Sequence, residues 1–230
     1  FDQNSILNKS NFLIGSQSNL NQAGSVSVLQ TKVIQKDRGF FAQEEVNWDD
    51  KLIVTLGLRA DKSSNNGDAN KLYYYPKASL AANITKLANC ANDHLSDLKL
   101  RLAYGQSGNF ARFGSIYTPL NSIVIDGSTG SIIGRTLGYS ELGPEKQTEI
   151  ETGFDLGLFK NRMLLDFTYY IKNIDDLVLQ VQVPGSTGFT NRWLNAAELK
   201  NNGIEIGLAV NAIQKRNFNW NTRFGFWKNT

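Results

Sequence analysis

Cysteine, histidine and methionine each occur once in 230 residues. The lone thiol, Cys90, rules out an internal disulfide and leaves the redox compartment unread. His94 sits in a polar turn beside Asp93 and Asp97 with no second histidine, so it reads as a solvated turn residue rather than a metal ligand. Four prolines leave no room for rigid Pro-rich linkers. No apolar run approaches the roughly 18–20 residues of a membrane-spanning helix. An excess of one charge is missing too: 24 Lys+Arg against 21 Asp+Glu leave a net +3. With no basic cluster, a nucleic-acid footprint is excluded. At 41% hydrophobic residues the chain is not short of core-forming side chains, which excludes general disorder. It opens Phe1-Asp2-Gln3-Asn4, neither an initiator methionine nor a signal peptide, and is expected to be a piece of something longer.

What the chain does have is alternation. From Glu149 to Leu158, Ile150, Thr152, Phe154, Leu156 and Leu158 fall on one side and Glu149, Glu151, Gly153, Asp155 and Gly157 on the other. After Lys160-Asn161-Arg162 the period of two resumes, with Met163, Leu165, Phe167, Tyr169 and Ile171 against Leu164, Asp166, Thr168 and Tyr170. Successive strand residues point to opposite faces, so this is a tight hairpin of two one-sided strands. A helix would have to carry Gly153 and Gly157 at about 1 kcal/mol each. The same pattern recurs over residues 39–61, 73–85, 98–105, 203–213 and 218–226, giving about eight strands and no convincing helix. Residues 1 to about 38 are Asn-, Ser- and Gln-rich and read as a loop region, with a short strand candidate over Val26 to Val33.

Connections alternate in length. Short turns fall at 48–51, 160–162 and 214–217, a loop at 62–72, a middling turn at 86–96, and long loops at 108–143 and 174–202. A meander crossing a bilayer has this character, with short turns at one end and long loops at the other. The polar faces carry Arg59, Lys77, Lys99, Arg101, Glu149, Glu151, Asp155, Asp166, Glu205 and Arg223, a charge density that a wet lumen tolerates and a sandwich interior does not. A soluble meander with one solvated face stays open on pattern alone. The reading is all-β: a segment of an antiparallel up-and-down transmembrane β-barrel.

Three segments resemble the SusC/RagA family of TonB-dependent outer-membrane transporters of Bacteroidetes-type bacteria. They are Leu98 to Asn109 (LKLRLAYGQSGN), Leu142 to Leu179 (LGPEKQTEIETGFDLGLFKNRMLLDFTYYIKNIDDLVL) and Leu199 to Glu205 (LKNNGIE), with looser support from Phe40 to Asp61. The resemblance implies a larger protein, with a plug and a 22-stranded barrel, of which residues 39–230 are about eight strands; residues 1–38, outside the resembling segments, are expected to be an extracellular loop region. It implies import of large nutrients, oligosaccharide or oligopeptide, across the outer membrane. It also implies a SusD-like surface lipoprotein as partner, energy from a TonB complex through absent N-terminal parts, and no cofactor. A soluble carbohydrate-binding or adhesin module is the alternative function.

No catalytic or metal constellation stands out. Ser107 in Gly105-Gln106-Ser107-Gly108 lacks nucleophile-elbow spacing, and strand spacing on a wet wall accounts for Glu149, Glu151 and Asp155. Leu100, Leu102, Phe154, Leu156, Leu165, Phe167, Ile206 and Leu208 are expected to face lipid. Trp48, Tyr73, Tyr74, Tyr169, Tyr170, Trp220 and Trp227 are expected in interfacial girdles or on the apolar face. In the long loops, Phe113, Tyr117, Phe189 and Trp193 are the expected contacts for substrate or partner, with Arg112 and Arg192 orienting polar groups. Phe110 and Tyr139 share those loops.

Overall fold

The computed structural model describes residues 2–12 and 23–230, with side chains from Lys32 onward. It falls into two units, 1–36 and 37–230. In the first, β1 (Asp2–Phe12) pairs antiparallel with β2 (Ala23–Val33). This corrects the loop reading of residues 1–38. The candidate strand at Val26 to Val33 lies inside β2, and Asp2–Phe12, whose polar residues hide any period of two, is its partner.

The second unit is one antiparallel sheet. Its strands are β3 (Asp37–Trp48), β4 (Leu52–Ser63), β5 (Tyr73–Asn83), β6 (Leu95–Asn109), β10 (Glu145–Leu158), β11 (Met163–Gln182), β12 (Asn191–Lys215) and β13 (Phe218–Asn229). Each pairs with the next in that order, and β3 and β13 are open edges. Between β6 and β10 lie a separate hairpin, β7 (Leu120–Ile125) with β8 (Ser128–Ile133), and a two-residue strand, β9 (Thr136–Leu137). The only α-helix among the described residues is α1 (Ile84–Leu87), capped by Asn83, whose Oδ1 accepts from the Lys86 amide at 3.0 Å.

Backbone geometry explains the tight links. Asp49 and Asp50 have φ of 53° and 50°, and Lys51 N donates to Trp48 O at 2.9 Å. This is the left-handed two-residue turn whose twist suits a hairpin, and Asp tolerates it. Lys51 Nζ lies 2.8 Å from Asp49 Oδ2, and that hydrogen bond and charge hold the Asp49 carboxyl below its usual pKa. Asp126-Gly127 turns β7 into β8 at φ of 47° and 77°, and Lys160-Asn161 turns β10 into β11 at 60° and 61°. In the meander, links 49–51, 84–94, 159–162 and 216–217 share one end of the sheet, and 64–72, 110–144 and 183–190 share the other.

The long connection expected at 174–202 is instead strand. β11 runs to Gln182, β12 begins at Asn191, and only eight residues join them. The register shifts between Ile174 and Val178, and Asp176 stands at φ 59°. A bulge resets the phase of alternation, so a strict period of two fails across it.

Among the described residues of the second unit, no second layer covers the sheet. Among the described residues the buried hydrophobics are Tyr75, Ala111 and Leu142, whereas Leu102, Phe224 and Trp48 on the apolar face are 50%, 63% and 60% exposed.

Candidate functional site

Residues directly opposite in a ladder share a face, so the register assigns the two surfaces. One row runs Trp48, Leu52, Ala82, Leu100, Phe154, Phe167, Ile206, Phe226 across all eight strands. The next runs Val46, Val54, Leu80, Leu102, Thr152, Tyr169, Ile204. Leu156, Leu165 and Leu208 line a third. All eight residues expected to form one apolar set therefore lie on one face. Glu44 is the one carboxylate within this belt among the described residues, opposite Leu56 on the edge strand.

The belt is sheared. On β4 it continues past Val54 through Leu56, Leu58 and Ala60, while on β12 it stops at Ile204, in the same row as Val54. At the other end β12 continues past Ile206 through Leu208 and Val210, beyond the level at which β4 begins. Three outward positions are about 20 Å along a strand, and five strand steps are about 24 Å across. The slope is therefore about 40°, the tilt that closes a membrane barrel.

The opposite face is charged. Arg101 Nη2 lies 2.9 Å from Asp155 Oδ1 and donates to Thr168 Oγ1 at 3.2 Å, and Arg59 Nε donates to Asp61 Oδ2 at 2.5 Å. Glycines stand beneath its long side chains: Gly57 opposite Lys77, Gly153 opposite Arg101, Gly207 opposite Asp166 and Gly203 opposite Tyr170. A Cβ at any of the four would collide with the partner side chain or a neighbouring backbone carbonyl. Thr55, Lys77, Ser79, Glu149 and Glu151 line a hollow of about 290 Å³ on this face. Tyr73, Tyr170 and Trp227, expected in a lipid-side girdle, are on this polar face opposite Asp61, Glu151 and Glu205. Each obeys parity within its strand, and nearness to a strand end misassigned it.

At the long-loop end, segment 110–144 is fastened to its neighbours. Thr136 and Leu137 pair in parallel with Asn191 and Arg192. Asn195 Nδ2 donates to Gly143 O at 3.1 Å and Asp176 O at 2.7 Å, and its Oδ1 accepts from Gly143 N at 3.0 Å. Glu145 Oε1 accepts from Val178 N and its Oε2 from Asn109 Nδ2, both at 3.0 Å. Gly67 N donates to Leu142 O at 2.8 Å.

Of the expected contact residues, Arg112, Phe113 and Tyr117 lie just before β7, Phe189 lies in the link before β12, and Arg192 and Trp193 are in β12 itself. The Arg192 guanidinium stands 5.1 Å from the centroid of the Tyr139 ring, and Tyr139 N donates to Ser115 O at 3.1 Å. Tyr139 thus links Arg192 to the 112–117 segment. Phe113 and Tyr117 are exposed, and Trp193 is half-buried opposite Gln180. The sequence reading missed Asn195 and Glu145 as fasteners. The visible trace of Asn195 is a polar residue between Leu194 and Ala196.

A sheet with one apolar face, one charged face and a sheared belt has the geometry of a barrel wall. The family described as TonB dependent receptor-like, beta-barrel, matches residues 3–230. The chain belongs to this family. The TonB-dependent receptor P26 of Formosa agariphila is 32% identical over 190 residues, which are 79% of this chain and 19% of that receptor. The TonB-dependent receptor SusC of Bacteroides thetaiotaomicron is 28% identical over 186 residues, covering 76% of this chain and 18% of SusC. A solved structure of the RagAB peptide transporter shares the fold, with a TM-score of 0.82 at 22% identity over 95% of this chain and 24% of that one. The segment is thus of SusC/RagA type, lies in the bacterial outer membrane and spans about a fifth of the length of the receptors it matches. The match takes in residues 3–38, which the sequence resemblance had left out.

Proposed function

We propose that this segment is part of the wall and outer rim of a TonB-dependent transporter that imports large nutrients, oligosaccharides or oligopeptides. A SusD-like lipoprotein covers its mouth, and a TonB complex energises it through parts outside this segment. The two-faced, uncovered sheet carries the reading: its apolar set, Leu100 to Leu208, meets lipid, and its charged face meets a water-filled lumen. The names of relatives support it, SusC among them, and RagAB is described as a peptide importer. A soluble binding module would leave the belt in water as an apolar patch far larger than a monomer exposes.

At the rim, Phe113, Tyr117, Phe189 and Trp193 touch substrate or lid, and Arg112 and Arg192 orient polar groups; the exposed rings of Phe113 and Tyr117 on a fastened backbone support this. The experiment replaces Tyr117 and Trp193 by Ala in the full-length receptor. Reduced lid association or nutrient-dependent growth, with normal barrel assembly, is the expected result. All three unchanged would reduce the rim to structural cover.

A further inference from the structure

Cations follow the sheared upper edge of the apolar belt. Arg38, Lys62 and Lys228 are the first outward positions beyond Phe40, Ala60 and Phe226, on β3, β4 and β13. Lys146 and Lys200 are the second beyond Ile150 and Ile204, on β10 and β12. Five cations thus mark the boundary at the long-loop end, facing out rather than into the lumen. The acids beside them on the same face are Asp175, opposite Lys146, and Glu198, two residues from Lys200; Asp37, Asp61 and Glu145, their chain neighbours, fall on the other face by parity. Among the described residues none of the five makes an ion pair, whereas Lys51, Lys86 and Lys160 at the short-turn end face Asp49, Asp50 and Asp93 at 2.8, 3.7 and 3.1 Å. A second observation is independent of the stripe. Arg38 and Lys62 are direct cross-strand partners, and like charges so placed repel unless an anion lies between them. A guanidinium beside an ammonium suits a phosphate.

We propose that this stripe binds the phosphates of an anionic lipid in the leaflet at the long-loop end, with Arg38 and Lys62 as its tightest clamp. The lipid's acyl chains lie along the belt below, so headgroup and tail are met on one surface. The inference rests on the barrel reading above.

The test uses the full-length receptor in detergent and native mass spectrometry, with bisphosphorylated lipid A and its dephosphorylated form as probes. The expected result is selective retention of the phosphorylated form, weakened by salt and by Arg38→Gln with Lys62→Gln. The loss should be about fivefold for each cation removed, because one cation near an anionic surface contributes about 1 kcal/mol. Lys77→Gln with Lys99→Gln, on the luminal face, should change nothing. Equal retention of the two lipids overturns the proposal, as does equal loss from the luminal pair. Displacement by millimolar inorganic phosphate also overturns it, by showing a free-anion site. If the clamp variant fails to assemble, the two lipids on the unaltered receptor decide. A nitroxide at Leu102→Cys reports the barrel reading separately: relaxation by oxygen but not by a water-soluble metal complex keeps that reading even if lipid selectivity fails.

Discussion

Single residues in this wall are constrained by what lies across the ladder. Gly153 faces Arg101, and a Cβ there would meet the Phe167 carbonyl as well as the guanidinium, so backbone must move. Gly153→Ala should destabilise the intact receptor by about 1–3 kcal/mol. Gly225→Ala, with nothing within 4 Å of its Cβ position, should stay within about 0.5 kcal/mol. Heat-resistant gel migration and urea unfolding in lipid distinguish them. On the apolar face Leu102→Arg should cost about 2–4 kcal/mol, and Ala103→Arg, one residue on and luminal, far less. At the rim Asn195 bridges Gly143 and Asp176 through three hydrogen bonds. Asn195→Ala should therefore leave barrel assembly intact but speed hydrogen exchange at the Gly143 amide and its neighbours, since the change opens a local unit rather than the sheet.

At the scale of elements, the legible strands were those with one wet and one apolar face and no phase error. Ile150 to Leu158 and Met163 to Ile171 announce themselves, and the left-handed turn at Lys160-Asn161 closes them as the polar break suggests. The extensions of β11 and β12 were not legible, because the Asp176 bulge moves the alternation by one and both faces turn mixed above the belt. β1 was hidden by its polar composition. The role of the rim fasteners was hidden for a different reason: Asn195 shows only as a polar residue between apolar neighbours, and its partner Gly143 lies 52 residues away. The element order nevertheless places the tight links 49–51, 159–162 and 216–217 of the meander at one end. An impermeant thiol reagent applied to intact cells should label Ser128→Cys, the first residue of β8, and spare Asn161→Cys, between β10 and β11. The short-link end is thereby expected on the periplasmic side and the long-loop end outside; labelling of position 161 alone would reverse that topology.

The second unit is built on a sheet with two open edges, β3 and β13, and among the described residues it has almost no interior. Such a sheet is stable only when further strands close it and lipid and water take its two faces. The belt's slope of about 40° is the part of that closure already written into this segment. The central claim is that this sheet divides lipid from lumen, and β10 offers its plainest test. Single cysteines at positions 149–158 of the full-length receptor in native membranes would be probed with a lipid-chain nitroxide and a water-soluble thiol reagent. The account predicts strict alternation: Ile150, Thr152, Phe154, Leu156 and Leu158 quenched from lipid, and Glu149, Glu151, Gly153, Asp155 and Gly157 labelled from water. Protection of both sets from both reagents, or the two sets exchanged, would contradict it.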